Sequence, residues 1–238
     1  MNIYLDIETL PSLTPDARDL AARSVKPPAT HKKPETIAKW WEEEGEAAIE
    51  DAYRKQALDA ASGEMAAVGF ASDDTDPVSL VRMRHESERD FLRRALDGIL
   101  ELLETATTTG PDGHRWPVEP YFVCHNAPFD LGFLWRRCVV HGVRPPFVFP
   151  RPGARDGKDF GDTMTLWAGY RQTIGLDRLC RALGVPSPKA DGIDGSQVFD
   201  LWSAGNHEAI AKYNAADVAA TRECWWRLHF EPVGEVAA

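Results

Sequence analysis

The sequence contains few cysteines and no long apolar run. Its four cysteines, among 238 residues, lie far apart and form no Cys-x-x-Cys pair. This spacing argues against a disulfide scaffold and favours reduced, mostly buried thiols, which are typical of cytoplasmic proteins. No stretch approaches the roughly 18 consecutive apolar residues that indicate a membrane-spanning helix. The N-terminal MNIYLDIETL also lacks the basic and apolar regions of a signal peptide. We therefore expect a soluble, cytoplasmic protein with no membrane partner.

Positive charge is also scarce. The chain has 27 Lys and Arg residues against 37 Asp and Glu residues, which gives a formal net charge of −10. A broad, sequence-independent grip on long duplex DNA needs many phosphate contacts, so this charge argues against it. It does not exclude a protein that holds a few nucleotides at a strand end, where metal ions can neutralise phosphate. The apolar share of 43% is ordinary and allows a sizeable core.

Strand and helix patterns alternate along the chain. Alternating or continuous apolar residues predict strands at 2–7, 65–71, 78–83 and 120–126, and helical spacing predicts helices at roughly 35–60, 87–104, 130–141, 175–184 and 206–229. This mixture is typical of an α/β protein in which helices cover a sheet. The segment at roughly 11–62 is too short for a core of its own. We therefore interpret it as a helical insertion after the first strand, within a single domain that spans residues 1–238.

An acidic pair ends the first predicted strand. Asp6 and Glu8 are two residues apart, so their side chains leave the same face of the strand. Two carboxylates on one face repel each other unless a cation lies between them. The pair therefore indicates a metal site, although both residues could instead be solvated residues of a turn.

Polar residues also mark the junction between the strand at 120–126 and the helix that follows it. Asn126 and Asp130 lie there, and ligands of α/β sheets collect at the carboxyl ends of strands. Asp130 could instead be a plain helix cap, and taken singly that interpretation is favoured.

A third pair lies in the last predicted helix. Tyr213 and Asp217 are four residues apart and therefore share one helical face. An aspartate beside the apolar stripe of this helix is costly to bury unless it is paired or binds a metal. In isolation, a surface aspartate next to a half-buried tyrosine explains the pattern equally well.

The three pairs can converge on one point, and their joint occurrence by chance is much less expected than any single pair. Oxygen ligands alone favour Mg²⁺ or Mn²⁺ over zinc. Two such ions close together can activate a water and stabilise the leaving oxygen in phosphodiester hydrolysis. Together the pairs predict a two-metal site for the hydrolysis of nucleic acid.

Three short motifs carry a resemblance to a known family. D-I-E-T at 6–9, H-N-A-P-F-D at 125–130 and Y-N-A-A-D at 213–217 resemble, in the same order, the three exonuclease motifs of the DEDD (DnaQ-like) superfamily. The last motif has the Y-x-x-x-D form of the DEDDy group, and Lys212 stands where the DEDDh group has histidine. The chain is most similar to the predicted family-B-polymerase-like 3′-5′ exonucleases. The further shared features are a Trp-rich helical insertion, D-T-M at 162–164 and G-I-D-G-S-Q-V at 192–198.

The resemblance implies a fold and a set of metal ligands. The fold would be ribonuclease H-like, with a five-stranded mixed β-sheet flanked by α-helices and a helical insertion after the first strand. Asp6, Glu8 and Asp217 would hold the tighter of two Mg²⁺ or Mn²⁺ ions. Asp6 would bridge to the second ion, whose other protein contact would be Asp130. Tyr213 would orient the attacking water.

It also implies a substrate, the 3′ end of single-stranded DNA or short RNA, from which nucleoside monophosphates would be released one at a time. Thr9 and Leu10 would contact the terminal nucleotide, Leu10 by packing on its base. Asn126 and Phe129 would position the penultimate nucleotide. The sequence shows no polymerase domain, so a proofreading role would need a separate polymerase or repair partner.

Two other functions remain open from the sequence. A catalytically silent protein could keep the fold as a nucleic-acid-binding module or scaffold, although all four acids and Tyr213 are present. An endonuclease or transposase of the ribonuclease H-like type is disfavoured by the motif spacing. Among other residues, Asp162 is interpreted as a helix cap or a support of the site, and at least one of Trp40 and Trp41 as core packing.

Overall fold

Seven strands lie within the residues that the structure describes, and five of them form one sheet. A computed structural model describes residues 1–109, 115–169 and 171–231. The strands are β1 (Asn2–Leu10), β2 (Glu64–Ala71), β3 (Val78–Val81), β4 (Thr107–Thr109), β5 (Arg115–Pro117), β6 (Tyr121–Cys124) and β7 (Gly161–Asp162). The predicted domain 1–238 also covers residues 110–114, 170 and 232–238, which lie outside the described residues.

The main sheet is mixed. Its strand order is β3-β2-β1-β6-β7. β6 runs parallel to both β1 and β7, whereas β2 and β3 are antiparallel. The predicted five-stranded mixed sheet flanked by helices is therefore confirmed. A separate two-stranded sheet of β4 and β5 has no counterpart in the sequence prediction, because three-residue strands are too short for a recognisable alternation.

Helices connect and flank these strands. Within the described residues, the α-helices are α1 (Ala17–Ser24), α2 (Pro34–Glu43), α3 (Gly45–Arg54), α4 (Glu88–Thr105), α5 (Ala127–His141), α6 (Thr163–Ala168), α7 (Leu176–Leu183), α8 (Val198–Ser203) and α9 (His207–Leu228). Short 3₁₀ helices lie at Lys55–Leu58, Pro188–Asp191 and Gly195–Gln197. The helices predicted at 87–104, 175–184 and 206–229 correspond to α4, α7 and α9. Among the described residues, no helix is long and apolar enough to cross a membrane.

The chain divides into two compact units, Met1–Glu8 with Met65–Ala238, and Thr9–Glu64. The first unit contains the strands β2 to β7 and the helices α4 to α9. The second unit contains α1, α2 and α3, and within it Arg18 of α1 pairs with Glu46 of α3 at 2.5 Å. The predicted insertion at 11–62 lies within this second unit, and its status as an insertion of one domain stays a prediction.

The helical segment predicted at 35–60 is divided in the structure into α2, α3 and a 3₁₀ turn. The break falls at Glu44, and α3 begins at Gly45, where a Cβ atom would lie 2.6 Å from the ring of Trp41. The prediction also missed α1, since a segment rich in proline and mixed charge shows little apolar periodicity. Trp40 is buried, as expected of core packing, whereas Trp41 is 39% exposed.

The start of α5 differs from the prediction. The helix begins at Ala127 and not at Asp130, with Pro128 in its first turn. Proline favours the first turn of a helix because its missing N–H would have no partner there. Asn126 occupies the N-cap position with a left-handed backbone, φ 74°. Asp130 is therefore not a helix cap, and its carboxylate is available for another purpose.

The packing of β1 decides which way its acidic residues point. Tyr4 is fully buried and packs with Val218 and Trp225 of α9. Side chains two residues apart leave a strand on the same side. Asp6 and Glu8 consequently leave β1 toward α9, the helix that carries the third motif.

A buried ion pair anchors α5 to α4. Arg137 donates hydrogen bonds to both oxygens of Glu88, at 2.9 and 2.6 Å, and the backbone N–H of Met65 donates a third at 2.9 Å. Burial raises the pKa of Glu88, but the hydrogen bonds and charge of Arg137 outweigh burial, so the pKa lies below its usual value. The charged carboxylate thereby holds α5, and Asp130 with it, against α4.

Candidate active site

Three carboxylates from two elements meet at one point. Asp6 and Glu8 come from β1, and Asp217 comes from the middle of α9. One oxygen of each lies within 4.8 Å of the others. Glu8 and Asp217 are 8% and 7% exposed, so the cluster lies largely out of water. The structure thus brings together the three residues to which the resemblance assigns the tighter ion.

Burial raises the pKa of each of these carboxyl groups, and for Asp6 and Glu8 the charges of neighbouring carboxylates raise it further. Burial has the largest effect on Asp6, followed by the negative charges of Asp217, Asp130 and Glu8. Burial and then the charges of Asp217 and Asp130 likewise raise the pKa of Glu8 well above its usual value. Burial raises the pKa of Asp217 to about 6, although hydrogen bonding from Tyr213 opposes it. Such a cluster is costly to keep ionised unless cations compensate the charge.

Asp130 lies close enough to influence this cluster but is bonded differently. It occupies the first turn of α5 and is 3% exposed. The backbone N–H of Ile7 donates to its carboxylate, whereas Oδ2 is buried and has no hydrogen-bond partner. Burial and the charge of Asp162 raise its pKa well above the usual value. A buried carboxylate oxygen without a partner suits a site for a cation.

Asn214 connects the site to the edge of the sheet. Its Nδ2 donates to Oδ2 of Asp6 at 2.6 Å, and its Oδ1 accepts from the hydroxyl of Ser79 on β3 at 2.6 Å. The side chain is fully buried and crosses β2 at Gly69. A Cβ atom at Gly69 would lie 2.5 Å from Oδ1 of Asn214, so only glycine leaves room for the amide. The sequence analysis missed Asn214, because an asparagine inside a helix carries no signal of its own.

Tyr213 lies one turn before Asp217 on α9, as the spacing predicts. Its hydroxyl donates to the carboxylate of Asp217, and the side chain is 9% exposed. Burial, together with the negative charges of Asp217, Glu8 and Asp6, raises the pKa of Tyr213 above its usual value. The phenol therefore stays protonated at neutral pH and can act as a hydrogen-bond donor.

A small cavity of ≈ 260 Å³ opens beside the acidic cluster. Asp6, Tyr213 and Asp217 line it together with two exposed cations, Arg178 and Lys189. The charge of Lys189 lowers the pKa of Asp217. Neither cation is predicted from the sequence, since a lysine in a 3₁₀ turn and an arginine in a short helix are ordinary surface residues until the fold places them.

His125 also lines this cavity, but both of its ring nitrogens are engaged. Nδ1 lies 2.9 Å from Oγ1 of Thr163, and Nε2 lies 2.9 Å from the carbonyl oxygen of Ile174. The ring therefore holds two segments of chain together, which fits a structural residue.

The residues predicted for the penultimate nucleotide lie at the start of α5. Asn126 is exposed, and its backbone N–H donates to Oδ1 of Asp162 at 3.0 Å. Phe129 is half-buried, with its ring centroid 5.6 Å from that of Phe133. Asp162 also accepts hydrogen bonds from the backbone N–H groups of Ala127 and Met164. The same carboxylate therefore caps α6 and orders the turn before α5.

Thr9 and Leu10, predicted for the terminal nucleotide, belong to the unit Thr9–Glu64. The hydroxyl of Thr9 donates to the carbonyl oxygen of Ala57 at 2.7 Å, and Leu10 is fully buried. Their contacts with a nucleotide stay predictions.

Comparison with known proteins finds a similarity over slightly less than half of the chain. Residues 116–231 match the model of a family described as a predicted 3′-5′ exonuclease related to the exonuclease domain of PolB. The predicted resemblance is confirmed. A search of curated proteins gives no match. An exonuclease-related domain suggests a hydrolase that acts on nucleic acids.

The matched segment contains part of the site. The exonuclease-related segment includes Asp130, Tyr213 and Asp217, and it stops short of Asp6 and Glu8 on β1. The geometry therefore adds to the family match, because it places the two remaining acids beside Asp217.

The donor set of this exonuclease-related site fits hard divalent cations. All of its candidate ligands are carboxylate oxygens, which Mg²⁺ and Mn²⁺ prefer and which zinc sites use less. Exonuclease families usually use divalent metals, and the cluster of Asp6, Glu8 and Asp217 can hold one.

Proposed function

We propose that this protein is a metal-dependent 3′-5′ exonuclease, which removes nucleotides one at a time from the 3′ end of single-stranded DNA or short RNA and releases nucleoside monophosphates. The observation that carries the proposal is the convergence of Asp6, Glu8 and Asp217 within 4.8 Å, in a chain whose residues 116–231 match an exonuclease family. The orphaned oxygen of Asp130 supports it.

The four acids form the metal-binding set in this proposal. Asp6, Glu8 and Asp217 would hold one Mg²⁺ or Mn²⁺ ion, and Asp6 and Asp130 would contribute to holding a second. Two ions held there would activate the attacking water and stabilise the leaving oxygen of the phosphodiester. The amide of Asn214 donates a hydrogen bond to Oδ2 of Asp6 and so holds this carboxylate in one orientation.

Other residues of the cavity act on the substrate. The protonated hydroxyl of Tyr213 orients the attacking water. Lys189, which faces Asp217 across the cavity, is placed to meet a phosphate oxygen of the bound nucleotide. Because the lysine side chain is exposed and flexible, its ammonium group can adjust to the position of the phosphate.

The finer assignments follow the family resemblance. Asn126 and Phe129 position the penultimate nucleotide, and Thr9 and Leu10 contact the terminal one. The sheet and its helices form a ribonuclease H-like fold, in which Thr9–Glu64 is a helical insertion of one exonuclease domain. A cytoplasmic location and a separate polymerase or repair partner stay predictions.

A degradation assay tests the proposal directly. The substrates are 5′-labelled 12-nucleotide single-stranded DNA and RNA, each with Mg²⁺, with Mn²⁺ and with EDTA. We expect a ladder that shortens from the 3′ end in the presence of metal and disappears in EDTA. Replacement of Asp6 by Ala abolishes it, whereas replacement of the exposed Asp97 on α4 by Ala leaves it unchanged.

The pattern of products separates the proposal from its competitors. Internal cuts at early times would indicate an endonuclease. Absence of cleavage by the folded, metal-loaded protein, with retained binding of the labelled strands, would support a catalytically silent binding protein instead.

A further inference from the structure

Positive charge is concentrated in one segment of this acidic protein. Residues 131–160 contain five arginines and one lysine against two aspartates, although the chain as a whole carries −10. Arg136, Arg144 and Arg151 of this segment are exposed. Within the described part of the chain, none of these three forms an ion pair or a side-chain hydrogen bond. We call these three residues the arginine surface.

Two adjoining grooves run along the arginine surface. The smaller, of ≈ 230 Å³, is lined by Pro128 and Leu131 of α5 and by Arg136 and Arg151. The larger, of ≈ 1020 Å³, is lined by Arg144, Arg151 and apolar side chains that include Trp135, Phe147 and Val148. The two grooves adjoin at Arg151, which lines both.

The smaller groove begins beside the candidate active site. Ala127 and Pro128, in the first turn of α5, line the smaller groove and follow Asn126 directly. Arg136 lies nine residues after Ala127, which corresponds to about 14 Å along the helix at a rise of about 1.5 Å per residue. A single strand with a stacked spacing of about 3.4 Å would cover that distance with about four nucleotides.

We propose that the arginine surface binds the phosphates of the nucleotides that precede the 3′ end, and so acts as the strand-binding surface of this enzyme. The inference rests on the proposed exonuclease function. Arginine is the side chain best suited to bind phosphate through paired hydrogen bonds. Aromatic side chains between cations offer the stacking faces that single strands use.

Charge and shape favour a single strand as the occupant. Among the described residues that line the two grooves, Glu119 is the one acidic side chain. Three arginines are too few for a grip on long duplex DNA, which needs many phosphate contacts. The apolar floor, with Trp135 and Phe147, accepts exposed bases, which a duplex does not present.

The test compares a substrate that reaches the arginine surface with one that does not. The double variant Arg136→Ala/Arg151→Ala is assayed on a 12-nucleotide single strand and on a dinucleotide. We expect kcat/KM for the 12-nucleotide strand, divided by kcat/KM for the dinucleotide, to fall at least about 10-fold. The slope of log KM for the longer strand against log salt should fall by about 1.4, because two phosphate contacts are lost.

A matched control separates local contacts from overall charge. The double variant Arg89→Ala/Arg93→Ala removes the same charge from two exposed arginines of α4, and it should keep the wild-type ratio and salt slope. If the kcat/KM ratio falls equally in both variants, the effect comes from the overall charge of the protein and not from local contacts, and the inference is overturned. An unchanged ratio in Arg136→Ala/Arg151→Ala would overturn it as well.

Failure of the proposed function has a different signature. If the wild-type protein cleaves neither substrate, binding of a fluorescent 12-nucleotide strand, measured by anisotropy, still reports on the surface. We then expect Kd to rise at least about 10-fold in Arg136→Ala/Arg151→Ala and not in the α4 variant. Equal Kd values in all three proteins would overturn the inference independently of catalysis.

Discussion

Asn214 shows how a single amide can orient a metal ligand. An ionised carboxylate only accepts hydrogen bonds, so Asp6 requires the NH₂ group of Asn214 on its side. The hydroxyl of Ser79 must then donate to Oδ1, and both contacts measure 2.6 Å. This arrangement leaves the amide one orientation. The chain Ser79–Asn214–Asp6 therefore reduces the number of positions that the ligand can adopt.

Replacement of Asn214 by Leu, which is similar in size and has no donor, should weaken Mn²⁺ binding about 10- to 100-fold. The reason is that Asp6 loses the partner that orients it. Calorimetric titration of the metal gives the measurement, and Ser79→Ala should show a smaller loss because the amide remains. Unchanged affinity in Asn214→Leu would remove the residue from the metal site.

Tyr213 contributes one hydroxyl to the cavity. Replacement by Phe removes the hydrogen bond to Asp217 and the donor that we assign to the attacking water. One hydrogen bond contributes about 1 kcal/mol, so kcat should fall about 5-fold while KM stays within about 2-fold. Steady-state kinetics on a short strand measure both values. An unaltered kcat would show that the hydroxyl takes no part in the reaction.

At the scale of elements, Asp162 joins the last strand of the sheet to two helices. One of its oxygens accepts from Asn126 and Met164, and the other accepts from Ala127. The interpretation as a helix cap is correct for α6, and the same carboxylate also orders the turn that begins α5. The two-residue strand β7 thus positions both the start of α5, which carries Asp130, and the helix α6 that follows β7.

Replacement of Asp162 by Ala should reduce the free energy of unfolding by about 1–4 kcal/mol. Loss of one helix cap costs about 0.5–2 kcal/mol, and two helix starts lose their acceptor here. Urea denaturation measures the change, and Asp162→Asn should lose less because one oxygen acceptor remains. A loss confined to about 0.5 kcal/mol would show that the turn before α5 does not depend on this residue.

At the scale of the whole molecule, the acidic cluster opposes folding in the absence of metal. Burial raises the pKa of Asp6, Glu8, Asp130 and Asp217, and for the first three the charges of neighbouring carboxylates raise it further. A ligand that binds the folded state alone stabilises it in proportion to the logarithm of its concentration. Metal affinity and protein stability are therefore linked.

Mn²⁺ at about 100 times its Kd should stabilise the wild-type protein by about 2.7 kcal/mol. For a chain of this size, the corresponding rise in Tm is about 5–10 °C. The variant Asp217→Asn keeps an acceptor for Tyr213 but removes a charge, so it should show little rise with Mn²⁺. In EDTA its Tm should equal or exceed that of the wild type, as differential scanning fluorimetry can measure. A large loss of stability in EDTA would contradict the assignment of the cluster.

Local spacing determined much of the architecture and the acidic set. The two-residue period of a strand predicts that Asp6 and Glu8 share a face, and the four-residue spacing in a helix predicts the same for Tyr213 and Asp217. Both periods are properties of the backbone alone. The same patterns predict a sheet covered by helices, whereas the five-stranded mixed sheet is implied by the family resemblance and is confirmed. The short strands, the start of α5 and the helix α1 are not predicted from the sequence, because each offers too few residues to show a period.

Only the tertiary structure decided which distant residues meet. Asn214 lies 208 positions from Asp6, and nothing in either local sequence indicates their contact. Lys189 and the arginine surface are ordinary charged residues until folding places them beside the acids or along a groove. The physical reason is that local spacing fixes the direction of a side chain along its own element, whereas the packing of elements selects its partners. The sequence thus determined which acidic residues form the site. The fold decided which residues contact or face these acids, such as Asn214 and Lys189, and where the arginine surface lies.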